Sequence, residues 1–189
     1  MGNYIGAKAF PTSSGLEPLA STTASNAASI EFLIPSGYHL YEWHFYNMNP
    51  VTDAAKFMWR TSVDAGSSYG VATTSVFVQN YHSEAGGNET LGESDGYSHG
   101  NATGDLYMSD GIGNDNDQGG SGRLFLFGAG SPTFVKHFYA HLQHVSAGDT
   151  GNISRTAGYV NSTSDVDAIK FFFDSGNIDD GTIVMYGAT

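Results

Sequence analysis

The chain has 189 residues, and its 19 Asp and Glu outnumber its 7 Lys and Arg to give a formal net charge of −12. A surface this acidic repels phosphate, so nucleic acids and anionic membranes are excluded as expected partners. The chain has no Cys, which excludes a disulfide scaffold, a thiolate zinc site and a cysteine nucleophile. Aromatic residues make up 13% of the chain and charged residues only 14%, which indicates a folded, turn-rich all-β protein rather than a disordered acidic one.

Residues 1–28 are mostly small and polar, and we expect them to form an extended N-terminal arm. The arm cannot build a core of its own, so it lies on its own body, lies on a neighbouring subunit, or is a disordered leader. The start of the chain lacks the pattern of a secretory signal, and no apolar run is long enough for a membrane helix, so we expect no secretory signal and no membrane-spanning segment. The large apolar residues of the arm are its candidate partner-binding residues: Tyr4, Ile5, Phe10, Leu16 and Leu19.

Residues 29–189 are predicted to form one β-sandwich domain. The clearest strand runs from Tyr38 to Met48, where Tyr41, Trp43 and Phe45 share one face with a period of two. No segment shows a sustained helical period, and Gly- and Asp-rich turns separate the apolar runs. The predicted fold class is therefore all-β, an antiparallel, jelly-roll-like β-sandwich. Further strands are expected at 30–34, 55–63, 69–81, 106–108, 123–127, 133–145, 154–160, 166–173 and 182–186.

A long polar region at 83–122 interrupts the series of predicted strands. It is rich in Gly and carries many of the acidic residues of the chain. A stretch of this length without structure is unusual inside a compact domain, so we expect either a long surface loop or a loop that contacts a partner.

Several predicted strands carry large apolar side chains on both faces, as Phe171, Phe172 and Phe173 do. One face serves the core, and the other requires either a second layer of the fold or an oligomer interface. We therefore expect a homo-oligomer, and specifically a trimer.

Three histidines lie close together at His137, His141 and His144. On a helix they would share one face and could bind zinc. The segment alternates as a strand does, however, which would place His137 and His141 on one face and His144 on the other. A polar outer strand face is the favoured interpretation, with a metal site and a pH-sensitive interface as alternatives.

The segment from Asp110 to Gly120 has the composition of a calcium loop, because carboxylate and amide oxygens and Gly are abundant in it. Its candidate ligands are Asp110, Asp115 and Asp117. The spacing is not that of an EF-hand, because the twelfth position counted from Asp115 is Leu126 rather than Glu. The alternative is a solvated turn, and no other cofactor is expected.

No nucleophile elbow, metalloprotease motif or phosphate-binding loop occurs in the sequence, so we expect no enzymatic activity. The acidic residues lie in polar segments, where a raised pKa is not expected. Tyrosines in predicted loops are candidate residues for stacking on sugar rings, with packing at the edge of the sandwich as the alternative: Tyr69, Tyr81 and Tyr97.

Two stretches of the chain carry a family likeness. Residues 38–69 contain a strand that ends in Asn47-Met48-Asn49-Pro50, and a second strand that leads into an S-x-D-x-G-S-x-Y segment at 62–69. Residues 166–187 end in an S-G-N-I-x-x-G-T-x-x-x-Y-G pattern, in which the turn at 174–181 joins two core strands and sets Phe171 opposite Ile183. Both stretches resemble small β-sandwich virion proteins of tailed phages.

This resemblance implies a non-enzymatic virion protein that is made in the host cytoplasm. It implies in particular a capsid decoration (cement) protein whose partner is the major capsid protein. The alternative is a tail-fibre or tail-tip protein that binds the host surface or glycans. A third hypothesis is a free-standing carbohydrate-binding or calcium-dependent enzyme domain.

Overall fold

A computed structural model describes residues 15–87, 90–93 and 95–189 of the chain. The arm residues Tyr4, Ile5 and Phe10 lie outside this range. Within it the chain forms antiparallel strands and a short 3-10 helix at Asp95–Tyr97, and no helix is long and apolar enough to cross a membrane. The strands are β1 (Glu17–Thr23), β2 (Ile30–Leu33), β3 (Leu40–Pro50), β4 (Phe57–Ser62), β5 (Thr73–Ser83), β6 (Thr90–Glu93), β7 (His99–Ala102), β8 (Leu106–Tyr107), β9 (Gly120–Phe127), β10 (Lys136–Val145), β11 (Thr150–Val160), β12 (Ala168–Phe173) and β13 (Ile178–Ala188).

The strands form two sheets. The nine-stranded large sheet has the order β1-β13-β3-β9-β10-β11-β5-β6, and β7 also pairs with β5. The four-stranded small sheet has the order β2-β12-β4-β8. The chain passes repeatedly from one sheet to the other, from β2 to β3, from β3 to β4 and from β4 to β5. The two antiparallel sheets pack around one shared core, so the predicted antiparallel β-sandwich is confirmed.

An aromatic core fills the space between the sheets. Trp43 and Phe45 of β3 meet Phe57 of β4 and Phe171 of β12, with ring centroids 5.1 Å apart for Phe45 and Phe171 and 5.3 Å apart for Phe45 and Phe57. All four side chains are buried. For Trp43 and Phe45, this burial follows from the period-two pattern of β3. Truncating an aromatic side chain in such a core costs about 3–5 kcal/mol of stability.

Part of the N-terminal arm lies on the chain's own body. Residues 17–23 form β1, which pairs with β13 at the edge of the large sheet, and Ala27 forms a β-bridge with Ile178. Leu19 packs against the core, whereas Leu16 remains exposed. The sequence left three placements open for the arm, and the first of them holds for the part of it from Glu17 onward.

The polar region at 83–122 contains more structure than its composition indicates. β6 and β7 pair with β5, and β8 pairs with β4. Leu106, Met108 and Ile112 are buried, so this region also closes one side of the core. The polar strands β6 and β7 show no alternation of apolar residues. They are held by backbone pairing to the longer β5 rather than by burial of their own side chains.

The segment after β4 covers the outer surface of the small sheet. The carboxylate of Asp64 accepts hydrogen bonds from the hydroxyls of Ser62 (2.7 Å) and Ser68 (2.6 Å), and these bonds lower its pKa to about 2. The turn places the ring of Tyr69 4.6 Å from the ammonium group of Lys170 on β12. The turn therefore covers part of the outward face of β12, at Lys170.

The turn at 174–177 carries the chain from the small sheet to the large sheet. β12 pairs with β2 and β4, whereas β13 pairs with β1 and β3. Phe171 and Ile183 are both buried in the core, so they come from opposite layers rather than from the two strands of one hairpin.

Candidate interaction surface

The calcium candidate Asp110 is partly buried and is hydrogen-bonded to side chains of the large sheet. Its carboxylate accepts a bond from Nε2 of the fully buried His144 (3.0 Å) and another from Nε2 of Gln79 (2.6 Å). Burial alone would raise the pKa of Asp110, but the bonds from His144 and Gln79 outweigh that effect and the pKa lies below its ordinary value. Asp110 thus connects the segment after β8 to β5 and β10.

The other two calcium candidates lie apart from this pair. Asp115 and Asp117 are exposed, and Asp117 lines an open cleft of about 520 Å³ at one end of the sandwich, together with Asn47, Asn49 and Asp180. In the described part of the chain, no three or more His, Asp or Glu side chains are placed to hold one metal ion. A calcium site at Asp110, Asp115 and Asp117 therefore stays a prediction.

The histidine segment forms the strand β10, as its alternation predicted. His137 and His141 lie on the outer face of the large sheet, and His144 points into the core. The histidines therefore do not converge on one site.

Two of the three candidate glycan-stacking tyrosines make ring contacts within the fold. Tyr69 lies under Lys170 and donates a hydrogen bond to Glu31 (3.0 Å). The ring of Tyr97 packs against Phe77 and Tyr107, with centroids 5.3 Å and 4.6 Å away. Tyr81 is a half-buried residue of β5. The structure does not bring the three rings together, and glycan stacking stays a prediction.

The outer face of the large sheet, meaning the side chains of its strands that point away from the core, is rich in exposed apolar groups. In the middle of this face the rings of Phe125 and Tyr139 stack with centroids 6.1 Å apart. Exposed apolar side chains extend from β3 across the sheet to β6: Tyr46, Val76, Leu91, Phe127, Tyr139 and Ile153. An uncovered apolar face of this breadth is typical of an interaction surface.

A basic row crosses the same face. Arg123 on β9 is the direct cross-strand partner of His141 on β10, and His141 is the direct partner of Arg155 on β11. Both arginines are exposed, and neither makes an ion pair, a hydrogen bond or a ring contact with any residue that the structure describes. Burial, followed by the charges of Arg155 and Arg123, lowers the pKa of His141 below its ordinary value.

The other described cations all have partners. Lys56 pairs with Asp174 (2.9 Å) and Arg60 pairs with Asp105. Lys136 is buried among backbone carbonyls, and Lys170 lies over the ring of Tyr69. In a chain with a net charge of −12, the two unpaired guanidinium groups on either side of His141 therefore stand out as a candidate binding feature.

Few carboxylates share this face with the basic row. Glu42 accepts a bond from His44 Nε2 (2.9 Å), and Glu93 lies on β6 at the edge of the sheet. The space above Arg123, His141 and Arg155 is thus open to an acidic group from outside the chain.

Sequence reasoning identified the outer positions of β10 but not the arginines beside them. The missing information was strand order, because the alternation of a single strand does not show which residues flank it. A signal was present, since β9, β10 and β11 follow one another in the chain and Ser146–Thr150 is short enough to join two antiparallel neighbours. No known protein family, curated protein or solved structure matches this chain.

Proposed function

We propose that this chain is a non-enzymatic structural protein of a tailed-phage virion, and specifically a capsid decoration (cement) protein that stabilises the head. The proposal rests on where the fold places the two stretches that resemble phage virion proteins. Residues 38–69 contain β3 and β4, and residues 166–187 contain β12 and most of β13. β3 pairs with β13 in the large sheet, and β4 pairs with β12 in the small sheet. The two stretches are therefore neighbours in both layers of the sandwich.

Two further features support a structural role. The outer face of the large sheet offers a broad surface for docking, in keeping with a protein that acts by contact. The hydrogen-bonded pair of Asp110 and His144 contains a fully buried His144 side chain and a partly buried carboxylate, so it suits a role in holding the fold together. We propose assembly as a homotrimer, made in the host cytoplasm and bound to the major capsid protein in the virion.

Capsid stability tests this function. Heads made without the chain are compared with heads to which the purified chain has been added back, during heating and during dilution into low salt. We expect added protein to raise the temperature at which the heads release their DNA. Equal stability of the two samples contradicts decoration, and analytical ultracentrifugation that finds a stable monomer at micromolar concentration contradicts the trimer.

A tail position is the second candidate, and the cleft at the end of the sandwich favours it. The cleft is lined by Asn, Asp and Gln side chains, including Asn49, Asn114, Asp117 and Gln118, which are the donors and acceptors that sugar hydroxyls use. A tail-fibre or tail-tip protein would bind host-surface glycans there. A glycan array and a cell-binding assay with the purified chain test this, and absence of binding in both removes the candidate.

A further inference from the structure

We propose that the outer face of the large sheet docks on a second protein that presents carboxylates, and that Arg123 and Arg155 bind those carboxylates. The inference rests on the proposed function, because the partner it names is the protein shell of the virion. It adds the docking face, the chemistry of the partner surface and the residues at the centre of the contact.

The geometry of the basic row suits carboxylates. One strand separates β9 from β11, and neighbouring strands lie about 4.8 Å apart, so the backbones of Arg123 and Arg155 are about 10 Å apart. Each guanidinium can bind a carboxylate through two parallel hydrogen bonds. Between them, Nε2 of His141 is buried and has no hydrogen-bond partner in the described structure. An acidic group over this row would meet the two exposed guanidinium groups, which no carboxylate of the described chain occupies.

The composition around the row favours a protein as the occupant. Phe125 and Tyr139 stack in the cross-strand row on one side of the basic row, with the exposed Phe127 beyond them, and the exposed Ile153 lies in the row on the other side. Aromatic residues and Arg are enriched at protein interfaces whereas Lys is depleted, and the described strands of this face carry Arg but no outward Lys. Polar side chains of the kind that sugar hydroxyls contact line the cleft at the end of the sandwich instead.

Charge favours a different protein over a second copy of the chain. A two-fold symmetric pair of copies joined through this face would set the basic row of one copy against the basic row of the other. The face supplies few complementary groups, because Glu42 is bonded to His44. A shell surface that presents carboxylates among apolar groups complements both parts of the face.

The experiment uses heads from a phage whose genome encodes the chain but from which this gene has been deleted. Purified wild-type protein is mixed with these heads and sedimented, in parallel with the R123Q/R155Q variant. The matched control is T133E/T163E, which changes the net charge by the same amount at two exposed loop residues. Thermal unfolding of each variant confirms that it folds.

We expect the wild type and T133E/T163E to bind the heads, R123Q/R155Q to bind at least tenfold more weakly, and binding to weaken as salt is raised. Backbone amides of β9, β10 and β11 should become protected from hydrogen exchange on binding. If the wild type binds and R123Q/R155Q binds equally well, the inference fails while the proposed function stands. If the wild type does not bind heads, the proposed function fails, and the inference that the capsid shell is the partner fails too.

Two other outcomes also overturn the inference. If R123Q/R155Q converts an oligomer of the free chain into a monomer, the face is occupied by a second copy. If the wild type binds acidic glycans on an array and R123Q/R155Q does not, the occupant is a glycan rather than a protein.

Discussion

Nε2 of the fully buried His144 lies 3.0 Å from Oδ1 of the partly buried Asp110, and this contact links the middle of the large sheet to the segment that follows β8. His144 is fully buried, and the same carboxylate also accepts a bond from Gln79 (2.6 Å). This small network explains how a polar, acidic segment is held against an apolar core. It also assigns Asp110 a structural role that its place in a calcium-like sequence does not indicate.

The first prediction concerns this network. Asp110→Asn removes the negative charge that the His144 and Gln79 bonds stabilise, and it should destabilise the protein by about 1–3 kcal/mol. Urea unfolding measures the loss. The matched control is Asp115→Asn, an exposed carboxylate in the same segment, which should change stability by no more than about 0.5 kcal/mol. Equal effects of the two substitutions would show that the network does not stabilise the fold.

The second prediction concerns acid stability. The pKa of Asp64 is lowered to about 2 in the fold, from an ordinary value of 3.8, chiefly by hydrogen bonds from Ser68 and Ser62. Because the folded pKa is the lower one, the contribution of Asp64 is present above pH 3.8 and is lost as the pH falls towards 2. Melting temperatures of the wild type and Asp64→Asn should therefore differ at pH 5 and converge near pH 2. The exposed Asp117→Asn is the control, and a constant difference between wild type and Asp64→Asn across this range would refute the assignment.

The third prediction concerns Lys136, whose side chain is buried. Its ammonium donates hydrogen bonds to the backbone carbonyls of Ser131 (2.6 Å), Phe134 (3.2 Å) and Ser162 (3.0 Å), and so ties together the loops before β10 and after β11. Lys136→Met keeps most of the volume but leaves these carbonyls without their donor, which should cost about 1–3 kcal/mol in chemical unfolding.

The control for this prediction is Lys56→Met. Lys56 forms a partly exposed ion pair with Asp174, and such pairs contribute about 0–1 kcal/mol. A loss for Lys136→Met that is no larger than the loss for Lys56→Met would contradict the role given to the buried ammonium.

The fourth prediction concerns the basic row. Burial and the charges of Arg155 and Arg123 lower the pKa of His141, so the R123Q/R155Q variant should raise it towards the ordinary value, with the effect of burial remaining. NMR titration of the His141 ring measures the change. His99, whose pKa is lowered mainly by burial elsewhere in the fold, should titrate identically in both proteins.

The linkage of His141 to stability has a definite sign. A histidine whose folded pKa is depressed contributes stability that is fully present above pH 6.5 and is lost as the pH falls below that value. The loss of stability on acidification should therefore be smaller in R123Q/R155Q than in the wild type. An unchanged His141 pKa in R123Q/R155Q would mean that the arginines do not lie beside the ring.

The strands that bury side chains could be predicted from the sequence. β3 carries Tyr41, Trp43 and Phe45 at alternate positions, and this alternation reflects the burial of one face. β6 and β7 could not be predicted in this way, because they are polar and depend on backbone pairing with β5. The outward face of the apolar β12 predicts a second layer or an oligomer interface, and the chain's own turn covers that face at Lys170.

The candidate surface was harder to predict because it depends on strand order. The outer position of His141 follows from the alternation of β10, but its neighbours Arg123 and Arg155 lie 18 and 14 positions away in the sequence, at 123 and 155. In the same way, the sequence around Asp110 indicates a solvated residue, and only the fold shows that Asp110 lies beside His144.

The most direct test of the central claim is a cryo-electron microscopy reconstruction of an intact virion whose genome encodes this chain. Decoration predicts density for the β-sandwich on the outside of the capsid, arranged as trimers, with the outer face of the large sheet turned toward the shell and Arg123 and Arg155 at the contact. Density for the sandwich in the tail alone, or its absence from the particle, would contradict the claim.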